Sequence, residues 1–164
     1  MCERYLRANC KCLRRNIDDS SMIIKWHHSD QSYVKLNFDG SLARDKATVK
    51  FVLRNHNGQL IGSGVLNLDD AIISELEAKA FREGLLFAQR KGYTKIMVES
   101  DSKLVIQSML DRDARPWNLI PIIEDIKWTA TKFACIDWKR VFREANFVKN
   151  VFAHQSLLIT NCHI

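Results

Sequence analysis

Glycine and proline are scarce in this chain. Its 164 residues include six glycines and two prolines, too few for a collagen-like, Pro-rich or disordered protein. Apolar runs are short, and none nears the roughly 18 residues that span a bilayer, so no membrane partner is expected. The opening MCERYLRANCKCLRRN lacks the apolar core of a signal peptide. Its arginines suggest a transit peptide, but Glu3 and the missing Ser and Thr speak against one, which leaves a basic arm. Cys2 and the ending Asn161-Cys162-His163-Ile164 do not make a lipid-anchor signal. The five cysteines are an odd number with no disulfide framework. Cys10-Lys11-Cys12 is too tightly spaced for a usual zinc knuckle, and no paired Cys/His set follows it. Reduced thiols in a nuclear or cytoplasmic protein, rather than a secreted one, are the plain expectation.

The remaining composition is that of a single-core globular domain, with 46% hydrophobic residues. Lys and Arg number 25 against 19 acids, for a net charge of +6. That surplus ranks nucleic acid first among partners. It is unevenly spread. Residues 1–15 hold five bases and one acid, and residues 127–149 hold six bases and two acids, so the rest of the chain is slightly acidic.

Residues 1–32 are polar and aperiodic and read as a basic arm or linker, residues 33–158 as the domain, and 159–164 as a tail. From Tyr33 the pattern alternates: Val34, Leu36 and Phe38 against Lys35, Asn37 and Asp39, a strand period that Gly40-Ser41 should end. Residues 47–54 and 59–66 read as two more strands, with Asn57-Gly58 as a hairpin signal between them. Over 71–90 the period becomes helical, with Asp69-Asp70 before the first turn and Gly92 beyond the last. Its stripe is Ile73, Ala80, Phe81, Gly84 and Ala88. A fourth strand over 94–100 follows, then helices over 102–110 and 118–132 with Pro116 between them, a fifth strand over 134–142, and a last helix over 146–158. This order predicts an α/β fold: a mixed five-stranded sheet, an antiparallel three-strand meander plus two parallel strands, flanked by helices.

Three acids stand at notable places. Asp39 is expected to end the first strand, in Asn37-Phe38-Asp39-Gly40-Ser41. Asp101 ends the fourth strand where a helix begins. Glu77 lies on the helical stripe, where a carboxylate is costly unless paired or bound to metal. Glu75 instead shares a face with Lys79 and Arg82 and can pair with Lys79 at i, i+4. Each acid alone has an ordinary explanation: Asp39 as a turn residue, Asp101 as a helix N-cap, Glu77 as half of a buried ion pair. Together, with the two strand ends adjoining, they would converge and invite a divalent cation. Oxygen-only ligands suit Mg²⁺ or Mn²⁺, and the matching chemistry is two-metal phosphoryl transfer.

The ordered motifs resemble the type 1 ribonuclease H fold. The form in question is a plant-genome domain related to the tail of non-LTR retrotransposon reverse transcriptases. The resemblance runs from about Lys25 to Leu158. It is carried by Trp26 to Ser41 with its Val34–Ser41 core, by Leu53–Gly58, Glu77–Leu85 and Val98–Ser102, and by Ile126 to Asn146 ending in Arg143-Glu144-Ala145-Asn146. It implies an endonuclease that hydrolyses the RNA strand of RNA–DNA hybrids with two Mg²⁺ (or Mn²⁺) ions. By motif, Asp39, Glu77 and Asp101 are the first three acids of its catalytic and metal-binding set. The fourth acidic position falls on Asn150, after Lys149 where the family has a small residue. Asn offers a carbonyl oxygen without charge, so weakened hydrolysis is expected. The sequence also departs from the family at Arg140, where His is frequent, and in the loop after Ser41, which is not Gly-rich here.

A hybrid would be recognised by shape and 2′-hydroxyls rather than by base sequence. Candidates for sugar-phosphate contact are the Gly40 and Ser41 backbone and the Ser74 and Ser102 hydroxyls, the two serines being equally plausible as helix caps. Arg140 and Arg143, within the basic run Lys127, Lys132, Lys139, Arg140, Arg143 and Lys149, are phosphate candidates, with a solvated face as the alternative. Trp117, Trp128 and Trp138 read as core or groove packing. The chain is expected to be a monomer. The alternatives to an enzyme are a non-catalytic nucleic-acid-binding module of the same fold and a degenerate retrotransposon-derived fragment.

Overall fold

The sheet is built around β1 (Val34–Ala43), which pairs antiparallel with β2 (Lys46–Arg54) and parallel with β4 (Lys95–Ser100). The computed structural model describes residues 33–43, 46–68, 71–110 and 116–141. The basic arm, Asp69-Asp70, Arg143, Lys149, Asn150, the last helix and the tail lie outside the described residues. β3 (Leu60–Leu68) closes one edge against β2, and β5 (Cys135–Arg140) runs parallel to β4 at the other. The order is β3-β2-β1-β4-β5, the expected meander plus two crossover strands. Three helices connect them: α1 (Ile73–Arg90), α2 (Lys103–Met109), and α3 (Ile120–Ala130), the last entered through a 3₁₀ turn at Trp117–Leu119. No described helix is long and apolar enough to cross a membrane.

Local chemistry sets the boundaries. Gly58 takes φ 79° in the β2–β3 turn, where the Asn55 side-chain oxygen accepts from the Asn57 and Gln59 N–H groups at 3.0 and 2.9 Å. Gly92 takes φ 80° just past α1, the left-handed conformation that ends many helices. Proline sits at the start of α3, where its missing N–H costs nothing. At the other end of the sheet, Tyr33 donates to Cys135 Sγ at 3.0 Å. That bond, together with burial, pushes the phenol well above its ordinary range.

One face of the sheet carries the hydrophobic core. Leu36 and Phe38 of β1, Val49, Phe51 and Leu53 of β2, and Ile96 and Val98 of β4 meet Leu76, Ala80, Phe81, Leu85 and Ala88 of α1, with Leu119, Ile123 and Ile126 beyond. Phe38 stacks on Phe81 at 5.0 Å between ring centroids, and Trp138 meets the same ring edge-on at 5.2 Å. Full burial of side chains this size contributes about 1.5–3 kcal/mol each.

The structure corrects four expectations. β1 does not end at Gly40-Ser41 but runs on to Ala43, because β2 stays paired with it, Gly40 opposite Val49 and Ser41 opposite Thr48. The stripe of α1 is centred on Leu76 rather than Ile73, which is exposed, and Glu77 lies at its margin, half-buried. Glu75 accepts from Asn118 Nδ2 at 2.8 Å, a contact from α3's entry turn that sequence spacing could not disclose. Trp117 and Trp128 are 84% and 62% exposed, and among the described tryptophans only Trp138 packs on the core. They lie on the side of the entry turn and α3 away from Leu119, Ile123 and Ile126.

Candidate active site

Parallel pairing sets Asn37 level with Glu99. Two residues further along the same strands come Asp39, and Asp101 just beyond the end of β4. Asp39 therefore lies inside β1, just past its last pairing with β4, and adjoins Asp101 at the end of β4. Strand alternation puts them on the sheet face opposite α1.

Glu77 reaches this place from the other face through a glycine. Gly40 follows Asp39 and points toward α1. A Cβ there would lie 2.6 Å from Glu77 N and 2.7 Å from Leu76 Cβ. Only a residue without a side chain lets the helix backbone approach β1 this closely. The Glu77 carboxylate then accepts a 2.6 Å hydrogen bond from the Ser102 hydroxyl. Ser102 adjoins Asp101 and caps α2, accepting from Val105 N at 3.4 Å. So Ser102, not Asp101, is the N-cap, and its hydroxyl joins the helix acid to the turn of the strand acid. Asp39, Glu77 and Asp101 all lie partly exposed around this junction.

The acids are neighbours without forming a finished cluster. Among the described residues, no three His, Cys, Asp or Glu side chains are gathered closely enough to hold a metal ion. The expectation of three carboxylates converging on one point is thus met by their elements and not by their oxygens. Glu77 has Ser102 as a partner. The donor chemistry fits Mg²⁺ or Mn²⁺, being oxygen throughout, and such an ion would supply the charge that lets the carboxylates approach.

The other candidates are scattered. Ser74 lies in the first turn of α1, whose cap position, Ile72, has no side-chain cap bond, so Ser74 is not that cap. In the β1–β2 ladder alternate residues exchange their backbone bonds, so one of the Gly40 and Ser41 N–H groups is directed away from β2. Arg140 closes β5 opposite Ser100. Of the basic run, Lys127 is buried with its Nζ 4.0 Å from Glu124, and Lys132 lies 4.4 Å from the centre of the Trp128 ring. Lys127 is thus engaged by the protein, whereas Lys132 stays exposed beside an exposed Trp128.

A buried polar cluster behind the acids escaped the sequence. Lys35, Asn37, Arg54 and Glu99 are all buried. Lys35 Nζ lies 3.3 Å from Glu99 Oε1, and Asn37 Nδ2 lies 3.4 Å from both the Glu99 backbone oxygen and Oε2. Arg54 donates to Asn37 Oδ1 and stands 3.9 Å from Glu99 Oε2. Burial lowers the Lys35 and Arg54 pKa values, and Glu99 opposes the shift. A polar alternation in a strand ordinarily marks a solvated face, which hid these residues. One signal was available: each strand acid is preceded, two residues earlier, by a polar group, Asn37 before Asp39 and Glu99 before Asp101.

A family model described as reverse transcriptase-like matches residues 37–156. No curated protein matches the chain. Among solved structures, the chain is similar to RNase H1 from the halophilic archaeon Halobacterium salinarum, at 23% identity and a TM-score of 0.69, covering 76% of this chain and 97% of that one. It is also similar to the N-terminal RNase H domain of rv2228c from Mycobacterium tuberculosis, solved as a fusion with maltose-binding protein, at 22% identity and 0.67 over 76% and 98% of the two chains. A third, LC11-RNase H1 in complex with an RNA/DNA hybrid, gives 16% identity and 0.64 over 69% and 88%. At these identities the likeness is one of fold.

Proposed function

The chain belongs to the reverse transcriptase-like family, and from that premise we propose that it is a ribonuclease H-type endonuclease acting on the RNA strand of RNA–DNA hybrids. The observation that carries this reading is the 2.6 Å bond from Ser102 to Glu77 across the Gly40 contact. It links the helix acid Glu77 to the turn that carries Asp101, while the Gly40 contact brings the same helix up to β1 next to Asp39. A neighbour of the same fold is solved with an RNA/DNA hybrid, which supports the substrate class.

In this reading Asp39, Glu77 and Asp101 hold one or two Mg²⁺ or Mn²⁺ ions, with Asn150 as a neutral fourth donor. The ions would activate water and stabilise the leaving oxygen. Ser102 orients Glu77 by occupying its Oε2. The Gly40 and Ser41 backbone, Ser74, Arg140 and Arg143 contact the sugar-phosphate chain. Residues 33–158 form the domain and residues 1–32 a basic arm. The group is that of plant and non-LTR retrotransposon reverse-transcriptase tails, and the protein acts as a monomer in the nucleus or cytoplasm.

A second reading has a specific observation behind it. Asn150 removes one negative charge, and the described carboxylates are not gathered into a metal cluster; both favour a non-catalytic hybrid-binding module. Purified protein incubated with labelled hybrid, duplex DNA or single-stranded RNA in Mg²⁺ or Mn²⁺ separates the two. The enzyme cleaves only the RNA of the hybrid, and Asn150→Asp accelerates it. Salt-sensitive hybrid binding without cleavage in both proteins assigns the binding module.

A further inference from the structure

We propose that the buried cluster of Lys35, Asn37, Arg54 and Glu99 is a positioning device that sets Asp39 level with Asp101 for cation binding. The inference rests on the metal-site reading given above and assigns the cluster a part in it.

The cluster spans the centre of the sheet on two successive levels of one face, Lys35 opposite Arg54 and Asn37 opposite Glu99. Arg54 belongs to β2, Lys35 and Asn37 to β1, and Glu99 to β4, while Lys139 of β5 stands 4.0 Å from Glu99 Oε1. Four adjacent strands are therefore tied side chain to side chain. The tie is specific for register. Asn37 Nδ2 can reach both the Glu99 backbone oxygen and its carboxylate only because the two residues are level in the parallel ladder. Its own carbonyl oxygen takes Arg54 from the other side. A slip of one residue between β1 and β4 would send one partner to the opposite face and break the contacts of Lys35 and Asn37 with Glu99.

The next residues along the same face are Asp39 and Asp101. Apolar burial and the backbone ladder exclude a whole-residue slip; the side-chain bonds of Asn37 and Glu99 add a restraint on smaller shifts. Burying two cations and an anion is also an expensive way to gain stability, since apolar replacements of such clusters often stabilise proteins equally well or better. A register role next to paired acids accounts for the expense.

The field of the cluster and its geometry act in opposite directions. Lys35 and Arg54 carry two positive charges against the single negative charge of Glu99. Replacing all three with methionine removes net positive charge near the site. By field alone, a divalent cation should then bind more tightly. If the cluster positions the acids, it binds more weakly.

The test is calorimetric titration of the full chain with Mn²⁺, alongside thermal unfolding followed by circular dichroism. The variant Lys35→Met/Arg54→Met/Glu99→Met is expected to unfold cooperatively, at a midpoint lowered by the loss of Asn37's side-chain partners, and to bind Mn²⁺ at least tenfold more weakly. Binding equal to or tighter than wild type in the folded variant overturns the proposal. Lys35→Met alone keeps the apolar stem and leaves Glu99 its other partners, and serves if the triple variant does not fold. It is expected to weaken Mn²⁺ about threefold, and unchanged or tighter binding counts against the proposal. If wild type takes up no Mn²⁺, the metal-site reading itself falls and this inference with it, a result distinct from equal binding by wild type and variant.

Discussion

The two faces of β1 are built on opposite principles. Toward α1 stand Leu36, Phe38 and Gly40, a graded apolar surface that ends in a residue without a side chain. On the other face stand Lys35, Asn37 and Asp39, the first two buried and hydrogen-bonded, the third half-exposed at the candidate site. The apolar face supplies stability without direction. The polar face supplies direction at some expense in stability. Gly40 is where the two meet, since it decides how near Glu77, carried on the apolar side, comes to Asp39 on the polar one.

Breaking the apolar face should cost most. Phe81 touches both Phe38 and Trp138, and Phe81→Ala is expected to lose about 3–5 kcal/mol in denaturant unfolding. Gly40→Ala, at the junction, should cost about 1–3 kcal/mol. It should cost more than Gly84→Ala, because the new methyl meets helix backbone at Gly40 but the movable end of Leu36 at Gly84. Urea midpoints of the two alanine variants measure that order. Ser102→Ala removes the cap of α2, worth about 1 kcal/mol, and frees Glu77 Oε2 from its 2.6 Å donor. Its cleavage rate should fall by more than its stability change explains, which rate and melting data on the same preparation will reveal. Trp117→Ala, at an 84% exposed position, should shift unfolding by less than about 0.5 kcal/mol.

The same contrast explains what was legible in the sequence. The apolar face was readable because periodicity reports it directly: strand alternation in β1, the 3.6-residue repeat in α1, and glycines at Gly58 and Gly92 where the backbone turns left-handed. Topology followed from the order of those periods. The acids were readable from their settings: Asp39 before Gly40-Ser41, Glu77 on a helical stripe, and Asp101 between a strand and a helix. The helical stripe led to Glu77 although that residue stands at the stripe's margin. The polar face was not readable. Lys35 and Asn37 look like solvent-facing residues until the parallel pairing with β4 brings Glu99 alongside, a contact 62 to 64 positions away in sequence. The fate of the Ser102 hydroxyl was hidden for the same reason, because Glu77 lies 25 positions before it.

In the proposed function Asp39, on the polar face of β1, acts with Glu77 and Asp101 on a hybrid through a divalent cation. The most direct measurement compares wild type with Asp39→Asn for RNA-strand cleavage of a labelled RNA–DNA hybrid in Mn²⁺, with circular dichroism as the check on folding. The account predicts measurable cleavage by wild type and a loss of roughly a thousandfold, about 4 kcal/mol of barrier, in a variant that remains folded. Equal cleavage by the two proteins, or none by wild type, would contradict it.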